Sequence, residues 1–284
     1  MTKQLVALTI ISVCTMATVP VLVKSVAANE MTIAIARLLI AVLVFSPLVA
    51  FRSRLGLLTP RDWLQLAIIG LVFAAHWLGY FLSIKLSTAS IGALAISTFG
   101  VQYLLLARIF NKERSGWVEW CAVFLCLLGC VIVAPELSLA NSTTIGLIVG
   151  VVSGTFYAAL PLLHQRASHI DNLSRTWAQF SFALLCLLPF LSFSDWDLSR
   201  ADYYKLLFLG VVSTVIAHGL WVKVTTELPA IYPSVIYYLY VPIAMASSAL
   251  ILGEDLSQRK LLGAALILSA SAGVTVYRLS ARRH

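Results

Sequence analysis

Apolar stretches of nearly bilayer length alternate along the chain with brief polar joints. The apolar runs are Leu5–Ala27, Met31–Phe51, Trp63–Ile84, Thr88–Phe110, Trp117–Ala134, Thr144–Leu163, Arg175–Phe193, Tyr203–Val224, Pro229–Leu252 and Leu261–Tyr277. A spanning helix takes about 20 apolar residues, so the pattern predicts ten transmembrane helices in an all-α, polytopic membrane protein. The joints, among them Arg52-Ser53-Arg54, Thr59-Pro60-Arg61-Asp62 and Asn111-Lys112-Glu113-Arg114, hold turn and charged residues. No stretch between spans is long enough for a soluble domain. Lys3 followed by an apolar run and Ser25-Val26-Ala27 has the outline of a cleavable leader. The run exceeds the usual apolar segment of such leaders, and it reads as a retained first helix.

Composition strengthens this reading. Of 284 residues, 60% are hydrophobic and 11% charged, with mean hydropathy +0.93. Soluble domains are about 45–50% apolar and about 25% charged, so a solvated globular enzyme is excluded. The net charge of +8 is spread in ones to threes between apolar runs, which reports topology and not a nucleic-acid partner. With the N-terminus inside, thirteen basic residues, from Lys3 through Arg52, Arg108 and Arg175 to Arg283, face the cytoplasm. Lys24, Lys85, Arg200, Lys205, Arg259 and Lys260 face out. The positive-inside bias predicts cytoplasmic termini in a cell inner membrane. The five cysteines lie in apolar segments without a CxxC pair and read as packing residues. No metal or cofactor is expected.

Sliding the chain against itself by about 141 positions aligns Ser12 with Ser153, Pro20 with Pro161, Glu113 with Glu254 and Gly129 with Ala270. A one-residue slip aligns Asp62 and Gly70 with Asp202 and Gly210. The chain thus reads as two five-helix units, 1–134 and 143–278. Five is odd, so the second unit enters the membrane from the opposite side. Inverted repeats of this kind occur in many secondary transporters, with the substrate site near the midplane between the copies.

The stretch from Lys85-Leu86-Ser87-Thr88 to Phe110-Asn111-Lys112-Glu113-Arg114, and more closely Tyr240-Val241-Pro242 through Gly253-Glu254-Asp255-Leu256 and Leu262-Gly263-Ala264-Ala265, resembles the end of an EamA domain. Two tandem units over nearly the whole chain resemble the drug/metabolite transporter superfamily. That resemblance implies ten helices and outward movement of small metabolites, often amino acids. The chain departs from the family pattern at Met16-Ala17-Thr18, where a tryptophan-glycine pair is usual, and at Gly100-Val101, where proline is common.

All twelve carboxylates lie at or near span ends, which disfavours a carboxylate proton relay and a cationic-drug substrate. The mid-span titratable groups are His76, beside Trp77 with Tyr80 on its face, and His218, with Trp221 on its face. Imidazole protonates near neutral pH, and intramembrane ionisable groups are functional candidates; hydrogen-bonded packing is the alternative. Arg37 lies within the second span, fit either to receive a substrate carboxylate or to snorkel. Ser12, Thr98, Tyr157 and Tyr237 complete the candidate substrate-binding set.

An intramembrane serine protease is the competing class, suggested by Ser153-Gly154 with His218. The residue two before the serine is Val151, so the GxSG motif fails, and no HExxH zinc motif occurs. The expectation is a non-enzymatic secondary transporter, a monomer rather than an oligomer, surrounded by the lipid bilayer and without a nucleic-acid partner. It would export or facilitate movement of small amino-acid-like or other neutral or zwitterionic metabolites by alternating access, with multidrug export as a second alternative.

Overall fold

The computed structural model describes residues 2–52, 55–111, 116–134, 138–228, 233 and 236–281. Glu113, Lys112 and Arg114 of one sequence joint lie outside them. The described residues form ten helical rods: α1 (Lys3–Ser25), α2 (Glu30–Arg52), α3 (Pro60–Leu86), α4 (Ala89–Phe110), α5 (Trp117–Val133), α6 (Ser142–Arg166), α7 (Asn172–Phe193), α8 (Arg200–Glu227), α9 (Tyr240–Leu252) and α10 (Gln258–Ala281). All but α5, α9 and α10 are individually long and apolar enough to span a membrane; α5 and α9 are shorter apolar helices. Helix is what the composition demands, because backbone N–H and C=O groups in lipid must bond within their own segment.

Polar residues define where rods begin and break. Thr59 and Asp62 form a reciprocal capping box at the start of α3, and at the start of α8 Ser199 Oγ accepts from the Asp202 amide and donates to the Asp202 carboxylate. Such boxes satisfy amide donors that the first helical turn leaves free. Pro20 in α1 and Pro161 in α6 lack the N–H that would bond the carbonyl four residues back, which releases the carbonyls of Met16 and Tyr157. In α8, Leu209–His218 is wound as a π-helix.

Packing between the halves is reciprocal. Helix α1 lies on α8 as α6 lies on α3, α2 touches α8 as α7 touches α3, and α9 meets α1 as α4 meets α6. Helices α2 and α7, α4 and α9, and α5 and α10 pair with each other, as two copies about a two-fold axis must. Individual bonds obey the same relation. Ser12 Oγ donates to the Ala217 carbonyl at 2.7 Å and Ser153 Oγ to the His76 carbonyl at 2.7 Å; both partners are displaced by 141 positions. Gly70 lies against Phe182 and the Ala183 nitrogen, while Gly210 lies against Ile40.

Helices α5 and α10 form a peripheral pair. Gly129 and Gly263 let their backbones approach so closely that a Cβ on Gly263 would stand 2.8 Å from the Gly129 carbonyl oxygen. Small residues commonly permit such contacts in membranes, where no hydrophobic drive pushes helices together. Trp120, Phe124, Leu127, Leu261 and Leu262 point outward from this pair, an apolar surface suited to lipid.

Candidate functional site

The remaining helices enclose a cavity of about 30 Å³, lined by Met16 and Val19 of α1, Arg37 of α2, His76, Trp77, Tyr80 and Phe81 of α3, Ile96 of α4, Tyr157 of α6, His218 of α8, and Tyr237 and Tyr240. Repeat-related positions meet across it: Met16 with Tyr157, and Ile96 with Tyr237, each at the offset of 141. The polar groups do not repeat. Arg37 is matched by Ala178 and His76 by Ala217, so a symmetric frame holds an asymmetric site.

The wall is a stack of rings. His76 lies parallel to Tyr157, with centroids 4.5 Å apart, and to Tyr80 at 6.0 Å. Tyr237 stacks on Tyr240 at 5.1 Å, and the Tyr80 and Tyr240 hydroxyls share a hydrogen bond that joins α3 to α9. Phe73 packs between the two histidines, 5.0 Å from His218 and 6.2 Å from His76.

The bonds around His76 define its chemistry. The only hydroxyl hydrogen of Ser153 goes to the His76 carbonyl, so the 2.9 Å contact between Ser153 Oγ and His76 Nδ1 is donated by the ring. The other ring nitrogen, Nε2, is then the acceptor in the neutral tautomer. A serine nucleophile needs the opposite arrangement, with the imidazole accepting its proton. The Ser153–His76 pair is therefore a helix–helix tether.

Arg37 does not snorkel. Its side chain is 2% exposed, Nε donates to Thr214 Oγ1 at 2.9 Å, and Thr214 passes its own proton to the Leu209 carbonyl at 2.8 Å within the π-wound stretch. The guanidinium carbon sits 4.1 Å over the Trp77 ring and 5.1 Å from Phe81. Nη1 is buried and has no hydrogen-bond partner among the described residues.

Of the candidate residues, Arg37, His76, Trp77, Tyr80, Tyr157, His218 and Tyr237 share this cavity. Trp221 sits behind Tyr157 and Tyr237 and lines a smaller neighbouring cavity of about 10 Å³ with His164, Gln179 and Thr225. Ser12 and Thr98 stand off the wall, their hydroxyls given to the Ala217 and Ala95 carbonyls. The sequence reading passed over His164, whose Nε2 lies 2.6 Å from Gln179 Oε1. Its place in the last turn of α6, beside Arg166, gave it the look of a surface residue. Phe81, Met16, Val19 and Ile96 were also missed, for apolar side chains carry no signal that separates cavity from packing.

Polar contacts draw helix ends together at both ends of the bundle. At one end Lys24 donates to the carbonyls of Ile84, Lys85 and Ser87 at 3.1, 3.1 and 2.5 Å. There too Lys205 reaches the Ser25 carbonyl at 2.8 Å, and Asn29 reaches that of Phe193 at 2.8 Å. Glu254 caps α4 from the other half, accepting from the Ala89 and Ser90 nitrogens at 2.6 and 3.1 Å and from Ser90 Oγ at 2.6 Å. Burial pushes the Glu254 carboxyl up, but the bonds from Ser90 and Ala89 outweigh it and hold the group below the ordinary carboxylate range. At the opposite end His169 meets Asp62 at 2.8 Å, Trp177 donates to Ser46 at 3.0 Å, and Arg166 covers the Phe110 ring at 4.3 Å. No cluster of metal-ligating side chains occurs among the described residues.

Comparison with known proteins gives a consistent picture. The model of the EamA-like transporter family matches residues 4–134 and again 144–276. A Bacillus subtilis (strain 168) protein named as the uncharacterized transporter YdfC is 24% identical over 183 residues, which are 63% of this chain and 60% of that protein. A solved crystal structure superposes 98% of this chain on 99% of its own with a TM-score of 0.69 and 16% identity; at that identity the likeness speaks to fold alone.

Proposed function

The chain belongs to the EamA-like transporter family, and from that premise we propose that it carries small organic metabolites across the cell inner membrane by alternating access. Family and relative point to a membrane transporter of the drug/metabolite type rather than an enzyme. The observation that carries the mechanism is the cavity itself: it lies between two reciprocally packed halves, takes wall residues from both, and is flanked at each end of the bundle by contacts that cross between them. Rocking one half against the other would break one set of closing contacts while keeping the other, as inverted-repeat carriers do. A void of about 30 Å³ admits little more than a water or two, and on this reading the conformer lies between the outward and inward openings. The basic residues at the joints support an orientation with both termini in the cytoplasm and the Lys24 end outside.

Amino-acid-like and other neutral or zwitterionic metabolites suit an aromatic wall with few polar groups and no acid. The units 1–134 and 143–278 act as the two moving bodies, and one chain surrounded by lipid suffices. Counterflow from proteoliposomes against a panel of labelled amino acids and related metabolites tests this reading. The expected result is saturable exchange of at least one compound, recovered chemically unchanged. Recovery of a cleaved or modified product would sink the carrier assignment.

A further inference from the structure

We propose that Arg37 is the receptor for a substrate carboxylate, and that the class moved is a small monocarboxylate with an apolar or aromatic body. This rests on the carrier reading and narrows its cargo. A guanidinium stays charged in proteins, and a charge within a span is costly unless something compensates it. None of the described residues lining the cavity is acidic. What Arg37 has instead is one neutral acceptor, Thr214, and the faces of Trp77 and Phe81. Cation–π contacts supply only about 0.5–2 kcal/mol.

The arrangement holds the guanidinium in a fixed orientation. Thr214 is anchored in turn to the Leu209 carbonyl, so the Nε edge is occupied and the side chain cannot swing freely, while Nη1 keeps a buried, unused donor. A planar guanidinium edge pairs with a carboxylate through charge-assisted hydrogen bonds. The remaining wall offers rings and apolar side chains for the rest of the molecule. An ammonium group would find no counter-charge there and would be repelled by Arg37, so a zwitterion binds through its carboxylate but less tightly than the matching acid. Because Arg37 is answered by Ala178 in the second half, the site offers one such receptor, which selects one carboxylate and not two.

Four compounds with one aromatic body separate the possibilities: 3-phenylpropionate, phenylalanine, 3-phenylpropionamide and 3-phenylpropylamine. Binding to the purified full chain in detergent is read by quenching of tryptophan fluorescence and by the shift in unfolding temperature. 3-Phenylpropionate should bind about 10- to 100-fold more tightly than the amide or the amine, the span expected for one charge-assisted pair, with phenylalanine between. Arg37→Gln should abolish that preference, and Arg37→Lys should restore part of it. Where Arg37→Gln fails to elute as folded protein, Thr214→Val provides the test, since it keeps the charge but frees its orientation and should weaken 3-phenylpropionate binding severalfold. Equal binding of acid, amide and amine, or acid binding indifferent to both Arg37→Gln and Thr214→Val, overturns the proposal. Failure of all four to bind, while proteoliposomes still exchange other metabolites, also overturns it and leaves the carrier reading standing. Arg37-dependent binding of 3-phenylpropionate with no flux of any compound keeps the carboxylate site and removes the carrier reading.

Discussion

Ser12 and Ser153 occupy equivalent positions and make equivalent bonds, yet only Ser153 also holds an imidazole. Each hydroxyl ties two helices of its own crossing, and interhelical bonds of this kind contribute about 0.5–2 kcal/mol. Ser12→Ala and Ser153→Ala should therefore cost similar amounts of stability, measurable as unfolding midpoints in detergent. Their effects on transport should differ, because Ser153→Ala alone releases the His76 ring from its fixed tautomer and from its stack with Tyr157. His76→Ala should impair counterflow while leaving the amount of folded protein unchanged. Unaltered flux in that variant would remove His76 from the site.

The helices depend on two kinds of end and contact. Gly263 sits where α10 crosses α5 at backbone distance, so Gly263→Val forces the pair apart and should destabilise the fold by about 1–3 kcal/mol. Gly253→Ala probes backbone conformation instead, since φ is +66° with open space around the site; its effect should come from strain and not from a clash. Glu254 caps α4 with a carboxylate held below its ordinary value of 4.5. Its stabilising contribution, about 0.3–1 kcal/mol for a charge at a helix N-terminus, is fully present at neutral pH and fades as pH falls through the depressed value. The unfolding temperatures of the native chain and Glu254→Gln should thus differ at pH 7 and converge below about pH 4. A difference that persists in acid would show that the carboxylate charge is not what stabilises the cap.

For the molecule as a whole, the proposed cycle requires that the two ends open in alternation. Asn29 and Phe193 belong to different halves and touch at the Lys24 end. Cysteines placed at both positions and joined by a short, reducible thiol cross-linker should stop counterflow, and reduction should restore it. Undiminished flux through the cross-linked protein would exclude rocking at that end. The π-wound stretch of α8 gives the second half a feature that α3 lacks, and it is there that Thr214 grips Arg37. Departures from the repeat thus gather at the cavity.

The succession of apolar runs determined helices and membrane, and the 141-residue offset determined the doubling, because span length and repetition are properties of the linear chain. The resemblance to EamA domains followed from motifs near the end of each copy. His76, His218 and Arg37 were legible as candidates, since ionisable side chains inside an apolar run are costly wherever they point. Which hydroxyls face the cavity was not legible. Ser12, Thr98 and Ser153 look alike in sequence, and only the packing shows each donating to a backbone carbonyl. His164 hid beside a basic joint. The fate of Arg37 rested on tertiary structure most of all: lipid headgroups and a ring-lined cavity both stabilise a guanidinium, and only the approach of α8 and α3 to α2 supplies Thr214, Trp77 and Phe81 to it.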